Sequence, residues 1–378
     1  MSTRLNAPKL ALREPVQLDI NTRRQIRQIG SLIVGIGIKA EIGLIGLGYW
    51  GPNHLRVLQE SDSASLRWIC DIDQSRLDHF ASRTRAEATT EFERVLEDPK
   101  TDAVIVATPI STHYDLARRS LEAGKHVLVE KPLAGTAKEA DALIELANDR
   151  GLAIMCGHTF LFSPPVVAIR EMVERGDLGE IYFISSSRVN LGLHQRDVSV
   201  LWDLAPHDFS ILLNWLGTTP DHVSGIGRDS VVKGTPDVAF VTLGFPDGLL
   251  ANVELSWLAP SKLRRTVLVG SEKMVVYDDT SVEQVRIFDH GVVYRDPESF
   301  GEFQLSYRTG DILSPKLATE EPLAVQLATF LDAIEQGWAP HDHARLARNV
   351  VELVEASERS LKSGGVRTRV GNAEPELA

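Results

Sequence analysis

The sequence predicts an α/β protein in two parts: a doubly wound parallel sheet, then an α+β domain built on a large, mostly antiparallel, open-faced sheet. Three observations carry this. A glycine-rich turn joins an apolar strand to a helix between Ile42 and Leu58. Apolar runs then alternate with helical patterns as far as Cys156. Beyond Pro164-Pro165, strand-like segments follow one another with few helices between them.

The first run, Ile42 to Ile45, leads into Gly46-Leu-Gly48-Tyr49-Trp50-Gly51, and a helical pattern starts at Pro52. Strand, glycine turn and helix in that order form the context in which G-x-G-x-x-G becomes a dinucleotide-site hypothesis. Gly46 permits the sharp turn, Gly48 lets the backbone approach a pyrophosphate, and Gly51 lets the helix pack close, its amides aimed at phosphate. The expected acidic partner lies about 20 residues on, at the end of a second strand. Trp68-Ile-Cys70 closes on Asp71, which is suited to accept hydrogen bonds from ribose hydroxyls and to repel a 2′-phosphate. NAD is therefore favoured over NADP, with nearby Arg76 weakening the preference.

Helices are expected at Ser75–Arg83 and Glu91–Glu97, and a strand buried on both faces at Ala103–Ala107. This strand ends in Thr108-Pro109, before a helix that stops at Gly124. His126–Glu130 is the next strand, then a helix from Thr136 to Arg150, then Leu152–Cys156. Ligands of such sheets sit beyond the carboxyl ends of the strands. Gly46, Asp71, Thr108, Glu130 and Gly157 all fall there.

In the second part, a helix (Val166–Arg175) precedes a strand at Ile181–Asn190 and a helix at Leu201–Leu216. Strands are expected at Ala239–Phe245, Leu249–Trp257, Arg265–Gly270, Lys273–Asp278 and Gln284–Phe288. Gly225-Ile-Gly, Pro246-Asp-Gly, Gly270-Ser-Glu-Lys and Asp289-His-Gly are read as turns. One face of this sheet is left without helices, and a partner subunit is the simplest cover. The domain reading is a basic flexible extension over 1–39, a nucleotide domain over 40–160, a substrate and oligomerisation domain over 161–340, a helix returning to the first domain over 341–362, and a loose tail over 363–378.

Two constellations carry chemistry. Glu130-Lys131-Pro132 sets a lysine at a strand's carboxyl end, beside the expected nicotinamide, where an ammonium can polarise a hydroxyl and stabilise a developing alkoxide. Trp202-Asp203-Leu-Ala-Pro-His207-Asp208 puts Asp203 and His207 four apart on one helix face. Imidazole titrates near neutrality and suits the removal of a hydroxyl proton, with Asp203 orienting the substrate or steadying the imidazolium. Asp208 reads as an ordinary polar or capping residue. His158, in Gly157-His-Thr-Phe160, and His113 are candidates for the cofactor cleft and equally for structural roles. No metal site is expected, because no cysteine–histidine cluster is present.

This ordered set, Gly46 to Gly51, Asp71, Thr108-Pro109 with His113, Glu130-Lys131-Pro132, and Asp203 with His207, resembles the glucose-fructose oxidoreductase / inositol dehydrogenase (Gfo/Idh/MocA) family over about 40–365. The resemblance implies an NAD(P)-dependent oxidoreductase moving hydride between nicotinamide and a secondary hydroxyl of a sugar, cyclitol or nucleotide-linked sugar. It implies that Lys131, Asp203 and His207 are catalytic, with His207 as acid/base, and that the protein is a homodimer or homotetramer through the second sheet. It further implies Gly46, Gly48, Tyr49, Trp50, Gly51, Asp71, Thr108, Pro109, His113, Glu130, Lys131 and His158 around the cofactor. Gly48-Tyr-Trp-Gly-Pro-Asn53 and Gly157-His-Thr-Phe-Leu-Phe162 look like the nucleotide-sugar 3-dehydrogenase branch. Many members carry an arginine soon after the strand at 152–156; here Phe160-Leu-Phe-Ser163 lacks one, with Lys262, Arg264 and Arg265 as alternative sources of charge. A non-catalytic NAD-binding sensor on the same fold and NAD-dependent oxidative glycoside cleavage are the alternatives.

A net charge of −12 argues against a nucleic-acid binder. No apolar stretch reaches the roughly 18 residues that span a bilayer. Cys70 and Cys156 lie in strand-like runs and read as buried thiols of a reducing compartment. The segment Thr22–Ile38 faintly resembles a twin-arginine export signal, but its apolar run is short and Ile38-Lys39-Ala40 is a poor cleavage site. A cytoplasmic protein is expected.

Overall fold

The computed structural model describes residues 39–192, 198–294, 305–337 and 341–371. The basic extension expected over 1–39 lies outside them except for Lys39, as do residues 372–378.

The nucleotide half runs β1 (Ala40–Ile45), α1 (Gly51–Glu60), β2 (Ala64–Cys70), α2 (Gln74–Ala81), β3 (Glu87–Thr89), α3 (Phe92–Glu97), β4 (Ala103–Val106), α4 (Ile110–Glu122), β5 (His126–Glu130), α5 (Ala137–Asp149) and β6 (Ile154–Gly157). Its six strands are ordered β3-β2-β1-β4-β5-β6, and every pair is parallel. β4 is buried along its whole length, as a strand covered on both faces must be. The order reverses beside β1, so the glycine turn after β1 and the loop after β4 flank the switch-point crevice.

A 3₁₀ turn (Thr159–Phe162) leads into α6 (Pro164–Glu174), β7 (Ile181–Leu191), α7 (Val200–Leu216), β8 (His222–Arg228), β9 (Val238–Gly244), β10 (Leu250–Ser256), β11 (Leu258–Gly270), β12 (Met274–Asp278), β13 (Val285–Tyr294), β14 (Leu305–Leu313), α8 (Pro322–Gln336), α9 (His341–Lys362) and β15 (Thr368–Arg369). The nine strands are ordered β14-β13-β12-β11-β7-β10-β9-β8-β15. All described pairings are antiparallel except β10 with β7. Helix α7 fills the covered face, with Phe209, Leu212 and Trp215 packed among Val241, Val253 and Leu268. On the other face Phe183, Phe240 and Leu250 are at least 43% exposed.

Four expectations need correction. Gly225-Ile-Gly is a strand rather than a turn: β8 passes directly under α9, where a Cβ on Gly225 would lie 2.5 Å from a Leu361 methyl. The glycines are there for that close approach. Asp289-His-Gly is also strand; β13 runs through it and absorbs an irregularity in register between Phe288 and His290. The stretch from residue 363 is not loose as far as Gly371. Thr368 pairs with Val223, and the Val370 amide donates to Asp221 O at 3.0 Å. The edge amides and carbonyls of β8 attract this strand, which closes the sheet. Finally, α9 returns to the first half only at its start. Ala344 and Ala347 join the core with Ile154 and Cys156, whereas Val350, Leu353 and Val354 belong to the core of the second sheet. Helix α8, which the amphipathic pattern over Leu323–Glu335 also predicts to return, does pack on the first half, with Leu327 and Phe330 in one core with Ile42 and Leu44. Among the described residues no helix is long and apolar enough to cross a membrane.

Candidate active site

The glycine turn has the geometry its spacing predicts. Gly46 has φ +93°, and a Cβ there would sit 2.5 Å from Ala107 O. A Cβ on Gly51 would lie 2.2 Å from Gly46 O, so helix and turn touch backbone to backbone. At Gly48 the only neighbour within 4 Å of such a Cβ is an Arg76 nitrogen at 3.8 Å, leaving the turn open on that side. Helix α1 follows with no side-chain cap and no acidic residue in its first turn; Pro52 has no N–H and the Asn53 and His54 amides donate to Trp50 O, so the helix start offers an anion the Gly51 amide and the positive end of its dipole. This cradle fits a dinucleotide's pyrophosphate. Tyr49 is 85% exposed and Trp50 partly buried at its rim.

Asp71 closes the other end. Its carboxylate accepts from Leu47 N–H (2.7 Å) and Asp73 N–H (2.9 Å), and Arg76 Nη1 stands 3.6 Å away. The same acid thus fixes the glycine turn against β2 and lies where a ribose is expected.

At the ends of β4 and β5, Thr108 Oγ1 meets Thr112 Oγ1 at 2.7 Å, and Pro109 caps α4. His113 is enclosed, with Nδ1 2.8 Å from Pro132 O and Nε2 2.8 Å from Thr108 O. Burial lowers its proton affinity below the ordinary value, and a neutral ring donates to one carbonyl only. Both nitrogens are taken by backbone, and the ring braces the two loops. Glu130 is likewise internal, with Oε1 2.7 Å from His54 Nε2 and Oε2 accepting the Lys131 amide at 3.2 Å. The sequence marks His54 only by its place on the buried face of α1. Its partner lies 76 residues away, a separation for which spacing gives no signal.

Lys131 and Asp203 meet across the two halves. Lys131 Nζ donates to Asp203 O at 2.9 Å and to Asp203 Oδ1 at 3.3 Å, while Trp257 Nε1 donates to Asp203 Oδ2 at 3.1 Å. One turn along α7, His207 packs edge-on against Phe160, with ring centroids 5.1 Å apart. His207 is partly exposed, yet its Nδ1 is enclosed and has no partner among the described residues. Burial, then the nearby Lys131, Arg188, His158 and Arg264, hold its proton affinity well below the ordinary histidine range. The ring is neutral at physiological pH and free to accept a proton. His158 is 2% exposed, with both ring nitrogens enclosed. Burial first, then Lys131 and His343, lowers it to about 3. The ring is thus held inside the protein, at the start of the 3₁₀ turn.

Asp208 is more than an ordinary polar residue. It is buried, ion-paired with Arg188, and accepts from Ser186 Oγ at 2.7 Å. The Arg188 and Arg264 guanidiniums lie 4.8 and 5.7 Å from the centre of the Phe160 ring. The cationic groups missing after β6 thus arrive from β7 and β11. The alternation along β7 held the signal, since Ile184, Ser186 and Arg188 share its inward face and a buried arginine requires an acid.

Residues 40–158 match the family described as "Oxidoreductase family, NAD-binding Rossmann fold", and residues 166–276 match the GFO/IDH/MocA C-terminal domain. The chain belongs to the GFO/IDH/MocA oxidoreductase family. Within it, the chain is 27% identical over 242 residues to UDP-N-acetylglucosamine 3-dehydrogenase of Acidithiobacillus ferrooxidans, covering 64% of this chain and 74% of that protein. It is 28% identical over 332 residues to myo-inositol 2-dehydrogenase of Thermotoga maritima, covering 85% and 96%. Among solved structures, GenD2 from gentamicin A biosynthesis, in complex with NAD, has a TM-score of 0.75 at 25% identity, covering 90% of this chain and 100% of that one. As a GFO/IDH/MocA protein with this cradle, the chain is an NAD-dependent oxidoreductase.

Proposed function

We propose that this GFO/IDH/MocA protein oxidises, or forms by reduction, a secondary hydroxyl of a sugar, cyclitol or nucleotide-linked sugar through Lys131, His207 and Asp203. The observation that carries it is the Lys131 Nζ–Asp203 pair, at 2.9 and 3.3 Å, with His207 one turn further along the same helix. Bound NAD supplies the hydride acceptor, held by the Gly46–Gly51 turn, the first turn of α1 and Asp71. Lys131 donates a hydrogen bond to the reacting oxygen and stabilises the charge it gains as hydride leaves. His207, neutral in its surroundings, takes the hydroxyl proton. Asp203, oriented by the Trp257 indole, sets the lysine and a neighbouring substrate hydroxyl.

A pocket of about 520 Å³, bordered by Ser111, Trp202, Thr235 and Lys362, opens beside the start of α7, next to Lys131, Asp203 and His207 in the chain but not lined by them. Its size lies in the range of small-molecule sites. The arginines beside Phe160 are each matched by an acid, Asp208 and Asp279, so that part of the site suits an uncharged ring. The 3-hydroxyl of a UDP-linked sugar is the finer reading, supported by the likeness to the Acidithiobacillus enzyme. A homodimer or homotetramer joined through the exposed face of the second sheet is part of the same reading, supported by Phe183, Phe240 and Leu250 on that face. Use of NAD and two buried free cysteines fit a cytoplasmic setting.

The test is NAD reduction at the absorbance band of NADH, across inositols, free sugars and UDP-sugars, with NADP in parallel. Reduction by one panel member that disappears in His207→Ala supports the reading. No reduction by any member, with NAD still bound tightly, counts against it and in favour of a sensor.

A further inference from the structure

Phe160, in the turn at Thr159–Phe162, is the point on which three groups of the second half converge. The His207 ring packs edge-on against it at 5.1 Å, and the Arg188 and Arg264 guanidiniums lie 4.8 and 5.7 Å from its centre. Arg188 and Arg264 are register partners on β7 and β11, so both cations reach the ring from the middle of the nine-stranded sheet. Arg188 is in turn ion-paired with Asp208, the residue after His207, and the two side chains are 4% and 3% exposed. The contacts close a loop that runs from His207 through Asp208, Arg188 and Phe160 back to His207.

Stability does not account for the ion pair in this loop. Apolar residues of like volume often stabilise a fold as well as a buried pair, or better. The surrounding core is made of such residues, among them Ile184, Phe209, Leu212 and Val253. Yet the pair is held firmly in place. Ser186 Oγ donates to Asp208 Oδ1 at 2.7 Å and lies 2.8 Å from Thr266 Oγ1, while Arg188 occupies Oδ2. A rigid anchor is what an imidazole needs when one of its two nitrogens must face a reacting atom. His207 Nδ1 is enclosed while the residue as a whole is partly exposed, so Nε2 is the nitrogen left for the cleft.

We propose that Arg188, held by Asp208, and Phe160 are positioning residues for His207, fixing its ring so that Nε2 meets the substrate hydroxyl. This rests on the dehydrogenase reading above. The guanidinium holds the phenyl ring by its face, a contact that strengthens where water is excluded. The phenyl ring in turn limits rotation of the imidazole beside it. Such control is worth much to a proton acceptor, since a displacement of about 1 Å can cost roughly 10²-fold in rate. Lys131, Arg188, His158 and Arg264 face His207, and Asp203, Asp208 and Asp279 pair with the lysine and the two arginines. Burial together with the three cations and His158 keeps the ring uncharged, the state in which a fixed Nε2 can accept a proton.

The experiment uses the full-length protein with NAD and, as probes, myo-inositol and UDP-N-acetylglucosamine. Phe160→Leu removes the phenyl ring and leaves the Arg188–Asp208 pair in place. It should lower kcat roughly 10–100-fold, with KM and NAD affinity within about twofold of the unaltered protein. Phe160→Tyr, which keeps a ring in the same position, should restore most of kcat. Unchanged kcat in Phe160→Leu, or a loss that Phe160→Tyr does not restore, overturns the proposal. A second readout needs no substrate: proton NMR of the His207 ring, whose signals the phenyl ring displaces. Arg188→Met combined with Asp208→Asn removes both charges together and leaves Phe160 in the chain. The displacement should shrink in that variant and vanish in Phe160→Leu; a His207 signal the same as in the unaltered protein overturns the part given to Arg188. Should the paired variant not fold, the two Phe160 variants, at a partly exposed position, decide alone. Failure of the dehydrogenase reading looks different. No panel member then reduces NAD in the unaltered protein, while the NMR comparison still decides whether Arg188 and Phe160 hold the ring.

Discussion

In the six-stranded sheet, Ala103 to Val106 are all inaccessible to solvent, whereas in the nine-stranded sheet β9 and β10 bury alternate residues and leave Phe240 and Leu250 43% and 50% exposed. The first sheet has helices on both faces and keeps its polar chemistry for the strand ends. The second has helices on one face only and places charged groups, Arg188 and Asp208, within its covered side. Function in the first half is thus a matter of position along the strand, and in the second a matter of face. The proposed reactive pair joins the two, with Lys131 at a strand end and Asp203 on a covering helix.

The sharpest break in that comparison comes from the junction itself. Lys131→Ala and His207→Ala should each lower kcat by roughly 10²–10⁴-fold, the usual contribution of such groups. NAD affinity, measured by fluorescence titration, should stay close to that of the unaltered protein, because neither residue belongs to the phosphate cradle. Loss of NAD binding together with turnover would take the lysine out of its assigned role.

Within the first half, Gly51→Ala and Gly48→Ala separate packing from ligand contact. The new methyl at 51 would lie 2.2 Å from Gly46 O and should cost about 1–3 kcal/mol, lowering both Tm and NAD affinity. At 48 no protein atom approaches closer than 3.8 Å, so Tm should hold while NAD weakens. Equal loss of Tm in the two variants would mean that the open side of the turn is not a ligand site.

A smaller effect concerns acid. Burial brings His158 down to about 3 from an ordinary 6.5, so the unfolded chain binds more protons across that interval. Its contribution to stability is complete above 6.5 and is lost as pH falls towards about 3. Urea midpoints should fall between neutral and mid-acid pH, and less steeply in His158→Phe. Parallel curves would remove this ring from the account.

The outer face of the second sheet should give the smallest change per chain. Phe183 neighbours Leu250 on β10 and Val269 on β11. Phe183→Glu with Phe240→Glu should alter the stability of a single chain by about 0.5 kcal/mol, as exposed positions do, while shifting sedimentation towards monomer. An unchanged assembly would leave this face without its proposed partner.

The parts legible in the sequence are those whose chemistry depends on short spacing. Gly46, Gly48, Gly51 and Asp71 are tied together by one strand–turn–helix–strand unit, and Asp203 with His207 by a single helical turn. The illegible parts depend on tertiary approach. His54 finds Glu130 across a long, unpatterned separation, the alternation of β7 turns Arg188 inward without naming Asp208 as its acid, and Phe162 meets His343 only because α9 begins beside the 3₁₀ turn. The glycines of β8 misled for a related reason. Glycine signals a turn when only its own chain is considered, and a close neighbour when another element, here Leu361 of α9, needs the room.

The hydrogen bond from Leu47 N–H to Asp71, at 2.7 Å, bears on how this protein can be re-engineered. The carboxylate assigned to discriminate between the two nicotinamide dinucleotides is also a strut of the turn proposed to hold their phosphates. A designer seeking NADP use cannot simply delete it, because an apolar or basic replacement leaves the Leu47 amide without its acceptor. The route that preserves the turn retains an oxygen at 71, as in Asp71→Ser or Asp71→Asn, and recruits Arg76, already 3.6 Å away, for the added phosphate. Coenzyme choice and loop architecture are therefore inherited together, and lineages that changed one would be expected to carry a compensating change in the other.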